Sequence, residues 1–86
     1  MYEIVFSKHA EKHKKLLKQS GLEIKARSLI EIVRSDPFQN PPPYEKLLGD
    51  YKGAYSRRIN HRHRFVYTVN EQIKTVHVLS MWTHYE

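Results

Sequence analysis

At 86 residues the chain has material for one domain with one modest core, and 40% hydrophobic with 12% aromatic content favours a folded globule over a disordered tail. The absence of cysteine excludes a disulfide framework, a thiolate nucleophile and a Cys-ligated zinc, and Met1 is followed by neither a basic leader nor a long apolar run, so we expect no signal peptide and no membrane span, compatible with a reducing cytoplasm. Lys and Arg outnumber Asp and Glu by 15 to 9, and the formal charge of +6 favours a polyanionic partner, either nucleic acid or an acidic protein segment.

Tyr2, Ile4 and Phe6 alternate with Glu3 and Val5, which predicts a first strand. Ser7 is placed to cap a helix over residues 8–18, with Ala10, Leu16 and Leu17 on its inner side, and Gly21 breaks it. The lysines of this stretch read as a solvated helix face. A second helix over residues 22–34 carries Leu22, Ala26, Leu29, Ile30 and Val33 on one face. Asp36-Pro37 ends it, and the four prolines between residues 36 and 43 make a stiff connector that cannot be a central strand. The connector delivers the chain into Tyr44-Glu45-Lys46-Leu47-Leu48.

From there the pattern has period two. A turn over residues 49–53 leads to a strand over 54–59, a short turn over 60–62, a strand over 63–69, a turn over 70–72 and a long strand over 73–81. The order β-α-α-β-β-β-(β), with three or four strands in hairpin succession after the helices, predicts a single α+β domain over residues 1–86. Its N-terminal strand and two helices would pack on one face of a small antiparallel sheet, leaving the other face free for a site.

Alternation sorts the candidate residues. Tyr55, Arg57 and Ile59 point one way and Ala54, Ser56 and Arg58 the other, so Arg57 and Arg58 do not serve one ligand unless a bulge intervenes. Phe65, Tyr67 and Val69 are apolar enough to face the helices, which puts Arg64 on the open face. Arginine fits phosphate with a planar fork that lysine lacks. His61, His63, His77 and His84 have no cysteine beside them, and no metal or other cofactor is expected.

Ser56-Arg57-Arg58-Ile59, then His63-Arg64-Phe65-Val66-Tyr67 and a terminal His84-Tyr85, resemble in this order the YoeB/Txe branch of the RelE-type toxins of bacterial toxin–antitoxin modules. The Asp36-Pro37-Phe38 connector followed by Glu45 and Leu47 fits as well, so the resemblance covers most of the chain. It implies a RelE-like fold and a ribosome-dependent endoribonuclease that cuts messenger RNA. It also implies a YefM/Axe-like antitoxin partner with an acidic C-terminal segment, and it leaves a homodimer open.

Carried over residue by residue, the resemblance makes Glu45 the general base, His84 the general acid, Arg58 and Arg64 the phosphate-binding cations, and Tyr85 a residue that orients the scissile phosphate. RNA contacts would come from Lys46, Lys52, Arg57, Arg58 and Arg64. Metal-free RNA cleavage needs such a set: a base for the 2′-hydroxyl proton, an acid for the leaving 5′-oxygen and fixed cations for the developing charge. Family members often carry a lysine where this chain has Leu48, and Lys46 and Lys52 are the candidates to replace it. The chain also continues to Glu86, one residue past the His-Tyr pair.

Duller readings compete. From its neighbours alone Glu45 is a solvated loop carboxylate, the arginines are charges that discourage strand-edge aggregation, and the aromatics are packing residues. A non-catalytic binding module, or a ParE-like toxin directed at gyrase, would use the same scaffold without an acid–base pair.

Overall fold

The protein is described by a computed structural model covering residues 1–83. Its elements are β1 (Glu3–Phe6), α1 (Lys8–Gln19), α2 (Glu23–Ser35), β2 (Glu45–Lys46), a 3-10 turn (Gly49–Tyr51), β3 (Tyr55–Arg58), β4 (Arg64–Asn70) and β5 (Thr75–Thr83). Together they make the expected α+β arrangement, two helices against one five-stranded sheet of order β1-β5-β4-β3-β2.

Local chemistry sets most boundaries. The Ser7 hydroxyl oxygen accepts from the Ala10 N–H at 3.0 Å, capping α1, and donates to the Leu79 carbonyl at 2.8 Å, so the cap also ties the helix start to β5. Gly21 ends that helix region at φ +78, a left-handed conformation that favours glycine. Asn60 accepts from the Arg62 and His63 N–H groups, which closes the β3–β4 turn. Asn70 does the same for Gln72 and Ile73, and Lys74 adopts φ 52. These two features extend the third turn through Lys74, so β5 begins at Thr75 rather than at Ile73 as the alternation suggests.

The sheet is mixed, a correction to the wholly antiparallel sheet expected. The successive strands β2 to β5 pair antiparallel, but β1 lies parallel to β5, with Glu3 opposite Thr75 and Phe6 opposite Val78. Alternation within β1 contains no information about a partner so distant in sequence.

The core lies between helices and sheet. Ala10 and Leu17 of α1 and Ala26, Leu29 and Val33 of α2 meet Phe65, Tyr67, Val76, Val78 and Met81. Leu16 was expected on the inner side of α1 but is 37% exposed, because His13 occupies the turn between Ala10 and Leu17. His13 Nδ1 accepts the Met81 N–H at 3.1 Å, docking α1 onto the end of β5.

Candidate active site

Register brings the site residues together on the face away from the helices. Glu45 of β2 lies opposite Ser56 of β3, Ser56 opposite Val66 of β4, and Val66 opposite Ser80 of β5. One step along, Arg58 lies opposite Arg64, and Arg64 opposite Thr83. Opposed residues share a face, so Glu45, Ser56, Arg58 and Arg64 occupy neighbouring positions on one surface.

Arg64 links the two rows. Its Nη1 donates to Glu45 Oε1 at 3.1 Å and to the Ser56 hydroxyl oxygen at 3.1 Å. The Arg64 side chain is only 15% exposed while that of Glu45 is 65% exposed, so a half-sheltered cation is paired with a carboxylate standing in solvent. A pair of this kind contributes roughly 0.2–1 kcal/mol, little enough for an incoming phosphate to displace the carboxylate from the guanidinium.

Arg58 is exposed, and its strand position faces that of Arg64. Two like charges at directly opposed positions destabilise a sheet. An anion between them would reverse the sign.

The pairing of β4 with β5 is irregular beside these residues. Register shifts fall between Arg64 and Val66 and between Val66 and Tyr67. Bulges re-aim side chains and strengthen local twist, and they recur beside active sites. Here they act on the stretch of β5 that lies against Arg64.

The remaining expected residues are distributed differently. Lys46 follows Glu45 directly in β2, so it sits on the opposite face, and Lys52 is exposed at the end of the 3-10 turn. Among the described residues neither is hydrogen-bonded to Glu45. Leu48 is 82% exposed. His84 and Tyr85 lie outside the described residues.

Arg57 requires a correction. It was expected to meet RNA, but it is 1% exposed and its guanidinium is consumed internally. Nε donates to the Tyr67 hydroxyl at 3.0 Å, Nη1 to the Pro42 carbonyl, and Nη2 to the carbonyls of Pro37 and Gln39 at 3.0 and 2.8 Å. Tyr67 in turn donates to the Pro37 carbonyl at 2.7 Å. Burial pushes the Tyr67 phenol above its usual pKa, against the smaller opposing pull of Arg57, so it keeps the proton it donates. Sequence put Arg57 and Arg58 on opposite faces without fixing which of them lies beside Arg64; the structure turns Arg57 towards Tyr67 and the connector.

Two further features were not anticipated. Ser56 holds Arg64, and only its shared face with Arg58 hinted at it. His9 and His13 stand four residues apart on α1, a metal-compatible spacing, but His13 accepts at Nδ1, which leaves its Nε2 as the protonated nitrogen of the neutral ring. Among the described residues no group of three or more His, Asp or Glu is arranged around a common point.

Two hollows among the described residues lie elsewhere. One of about 400 Å³ runs between the helices and is lined by Phe6, Leu17, Ile30 and Met81; another of about 540 Å³ lies by Asn60, His61 and Trp82. Glu45 and Arg64 border neither of these, and the Glu45 side chain is 65% exposed.

Known proteins resemble this chain in sequence and in fold. Residues 6–85 match the family described as the YoeB-like toxin of bacterial type II toxin–antitoxin systems. Toxin YoeB of Synechocystis sp. is 38% identical over 73 residues, which cover 85% of this chain and 76% of that protein. A YoeB/ParE toxin from Agrobacterium tumefaciens superposes with a TM-score of 0.87 at 28% identity, covering 96% of this chain and 99% of the other. The heterotetrameric YoeB–YefM toxin–antitoxin complex of Staphylococcus aureus contains a chain with a TM-score of 0.81 at 32% identity, covering 99% of each. The chain therefore belongs to the YoeB-like toxins of bacterial type II toxin–antitoxin systems.

Proposed function

We propose that this toxin is a ribosome-dependent endoribonuclease that cleaves messenger RNA without a metal and so arrests translation. The observation that carries the reading is the cluster on the open face: one carboxylate, Glu45, paired with a half-sheltered Arg64, and Arg58 at the opposed strand position. Glu45 takes the proton from the 2′-hydroxyl, whose oxygen attacks phosphorus. The bond from phosphorus to the 5′-oxygen breaks, His84 gives that oxygen its proton, and the products are a 2′,3′-cyclic phosphate and a 5′-hydroxyl.

Arg58 and Arg64 bind the phosphate as charge develops on it, and Tyr85 orients it. Support for His84 and Tyr85 comes from the resemblance and from continuity of the chain, since Thr83, the residue before His84, is the register partner of Arg64. The imidazole's ordinary pKa of about 6.5 suits proton donation near neutrality beside an anion.

The partner in this reading is a YefM-like antitoxin whose acidic C-terminal segment folds onto the basic toxin, as the Staphylococcus aureus relative is found in complex with YefM. Among the described residues no helix is long and apolar enough to cross a membrane. The toxin acts in the cytoplasm, where its substrate is.

The test is cleavage of a defined message on purified programmed ribosomes in excess chelator, with end-group analysis of the products. Cyclic phosphate and 5′-hydroxyl ends formed in chelator support the reading. An intact message, combined with gyrase-dependent DNA breaks, would replace it with the gyrase-directed alternative.

A further inference from the structure

We propose that Arg57 is a positioning residue that sets the location of Glu45 by clamping the proline-rich connector, so that a residue with no route to RNA controls the general base. The inference rests on the endoribonuclease reading for its kinetic consequence but not for its structural one.

Glu45 belongs to a strand of two residues at the sheet edge. Its pairing with β3 comprises Glu45 opposite Ser56 and Lys46 opposite Tyr55, followed by a hydrogen bond from the Leu47 N–H to the Ala54 carbonyl at 2.9 Å. So short a ladder does little to fix the height of Glu45 above the sheet, and the preceding connector supplies the missing restraint. Arg57 gathers three of its carbonyls, from Pro37, Gln39 and Pro42, around one planar guanidinium. That guanidinium also lies 5.0 Å from the centre of the Tyr44 ring, the residue immediately before Glu45.

Among the described residues Arg57 has no carboxylate partner, so its buried charge is met by carbonyl dipoles and one phenol. Replacing Arg57 alone by an apolar side chain leaves these carbonyls and the phenol without their donor, at a cost in stability. What the apolar chain cannot do is hold three carbonyls at fixed directions, and fixed directions are what a catalytic carboxylate on a weak edge strand needs. Misplacing a reacting group by about 1 Å costs on the order of 10²-fold in rate.

The experiment uses the full chain with Arg57→Met, and Tyr67→Phe as a milder variant that removes one link of the clamp and keeps the ring. Two readouts are taken: the cross-strand NMR contact between the Glu45 and Ser56 backbones, and single-turnover cleavage of ribosome-bound message with and without Glu45→Gln. The expected result is a folded protein with a weakened contact and a rate about 10²-fold lower for Arg57→Met, less for Tyr67→Phe, at unchanged affinity for the programmed ribosome. In the Glu45→Gln background neither substitution should lower the rate further, since the base they position is gone.

A contact at full strength, or an equal fold-loss in both backgrounds, overturns the proposal. If Arg57→Met fails to fold, the same two outcomes are read on Tyr67→Phe. A weakened contact in a protein whose wild type cleaves nothing would leave the clamp standing and remove the endoribonuclease reading instead.

Discussion

Glu45 and Arg64 are joined by a 3.1 Å ion pair between the edge strand β2 and the more central β4, with Ser56 of β3 bonded to the same guanidinium nitrogen. The proposed base and the proposed phosphate-binding cation are therefore each other's partners in the free protein. In the proposed reaction a phosphate that takes over Arg64 would release the Glu45 carboxylate at the moment a base is required.

Glu45→Gln removes the base and also the carboxylate that competes for Arg64. Cleavage should fall by about 10²–10⁴-fold, while an uncleavable 2′-deoxy message should bind at least as tightly as to wild type. Single-turnover rates and fluorescence anisotropy measure the two effects. Weaker binding would mean that Glu45 supports Arg64 rather than competing for it.

Arg64→Lys keeps the charge and loses the planar guanidinium whose Nη1 donates to both Glu45 and Ser56. Activity should drop substantially with only a modest loss of ribosome affinity, since a point charge attracts RNA but does not orient phosphate. Full activity in the lysine variant would reduce Arg64 to electrostatic background.

Much of this site was legible because strand alternation has a strict period. Phe65 and Tyr67 facing the helices put Arg64 on the open face, and alternation separated Arg57 from Arg58, but only the register of β3 with β4 shows that Arg58 is the one opposite Arg64. What was not legible depends on contacts distant in sequence. The parallel pairing of β1 with β5, the hydrogen bonds from Arg57 to the connector and the pairing of Glu45 with Arg64 join segments whose local patterns do not mention one another. His13 was missed for the same reason: its spacing marks a helix position, and only packing shows that it accepts the Met81 N–H.

That histidine gives stability a pH dependence. Burial, with a smaller contribution from His9, lowers the His13 pKa below 6.5, so the unfolded chain takes up the proton first. The contribution is fully present above about pH 6.5 and is lost as pH falls from there through the lower folded value. Protonation also removes the Nδ1 lone pair that holds β5. Urea melts at pH 7.5 and 5.5 should show lower stability at the acid end, and His13→Asn, which keeps an acceptor without a titrating ring, should flatten the difference. An unchanged pH slope in that variant would contradict the assignment.

The charge of +6 bears on the antitoxin. Association with its acidic segment should slow as salt rises, because steering between opposite charges is screened over a Debye length of about 8–10 Å near physiological ionic strength. Stopped-flow binding at two salt concentrations reads this directly. A salt-independent on-rate would indicate an interface built on apolar contact alone.

The central claim, catalysis by an acid–base pair, is tested most directly by expressing wild type and His84→Ala and mapping message ends by primer extension. The account predicts new 5′ ends and growth arrest with wild type, and neither with a His84→Ala protein that remains folded and antitoxin-binding. Cuts of equal strength from both proteins would contradict it.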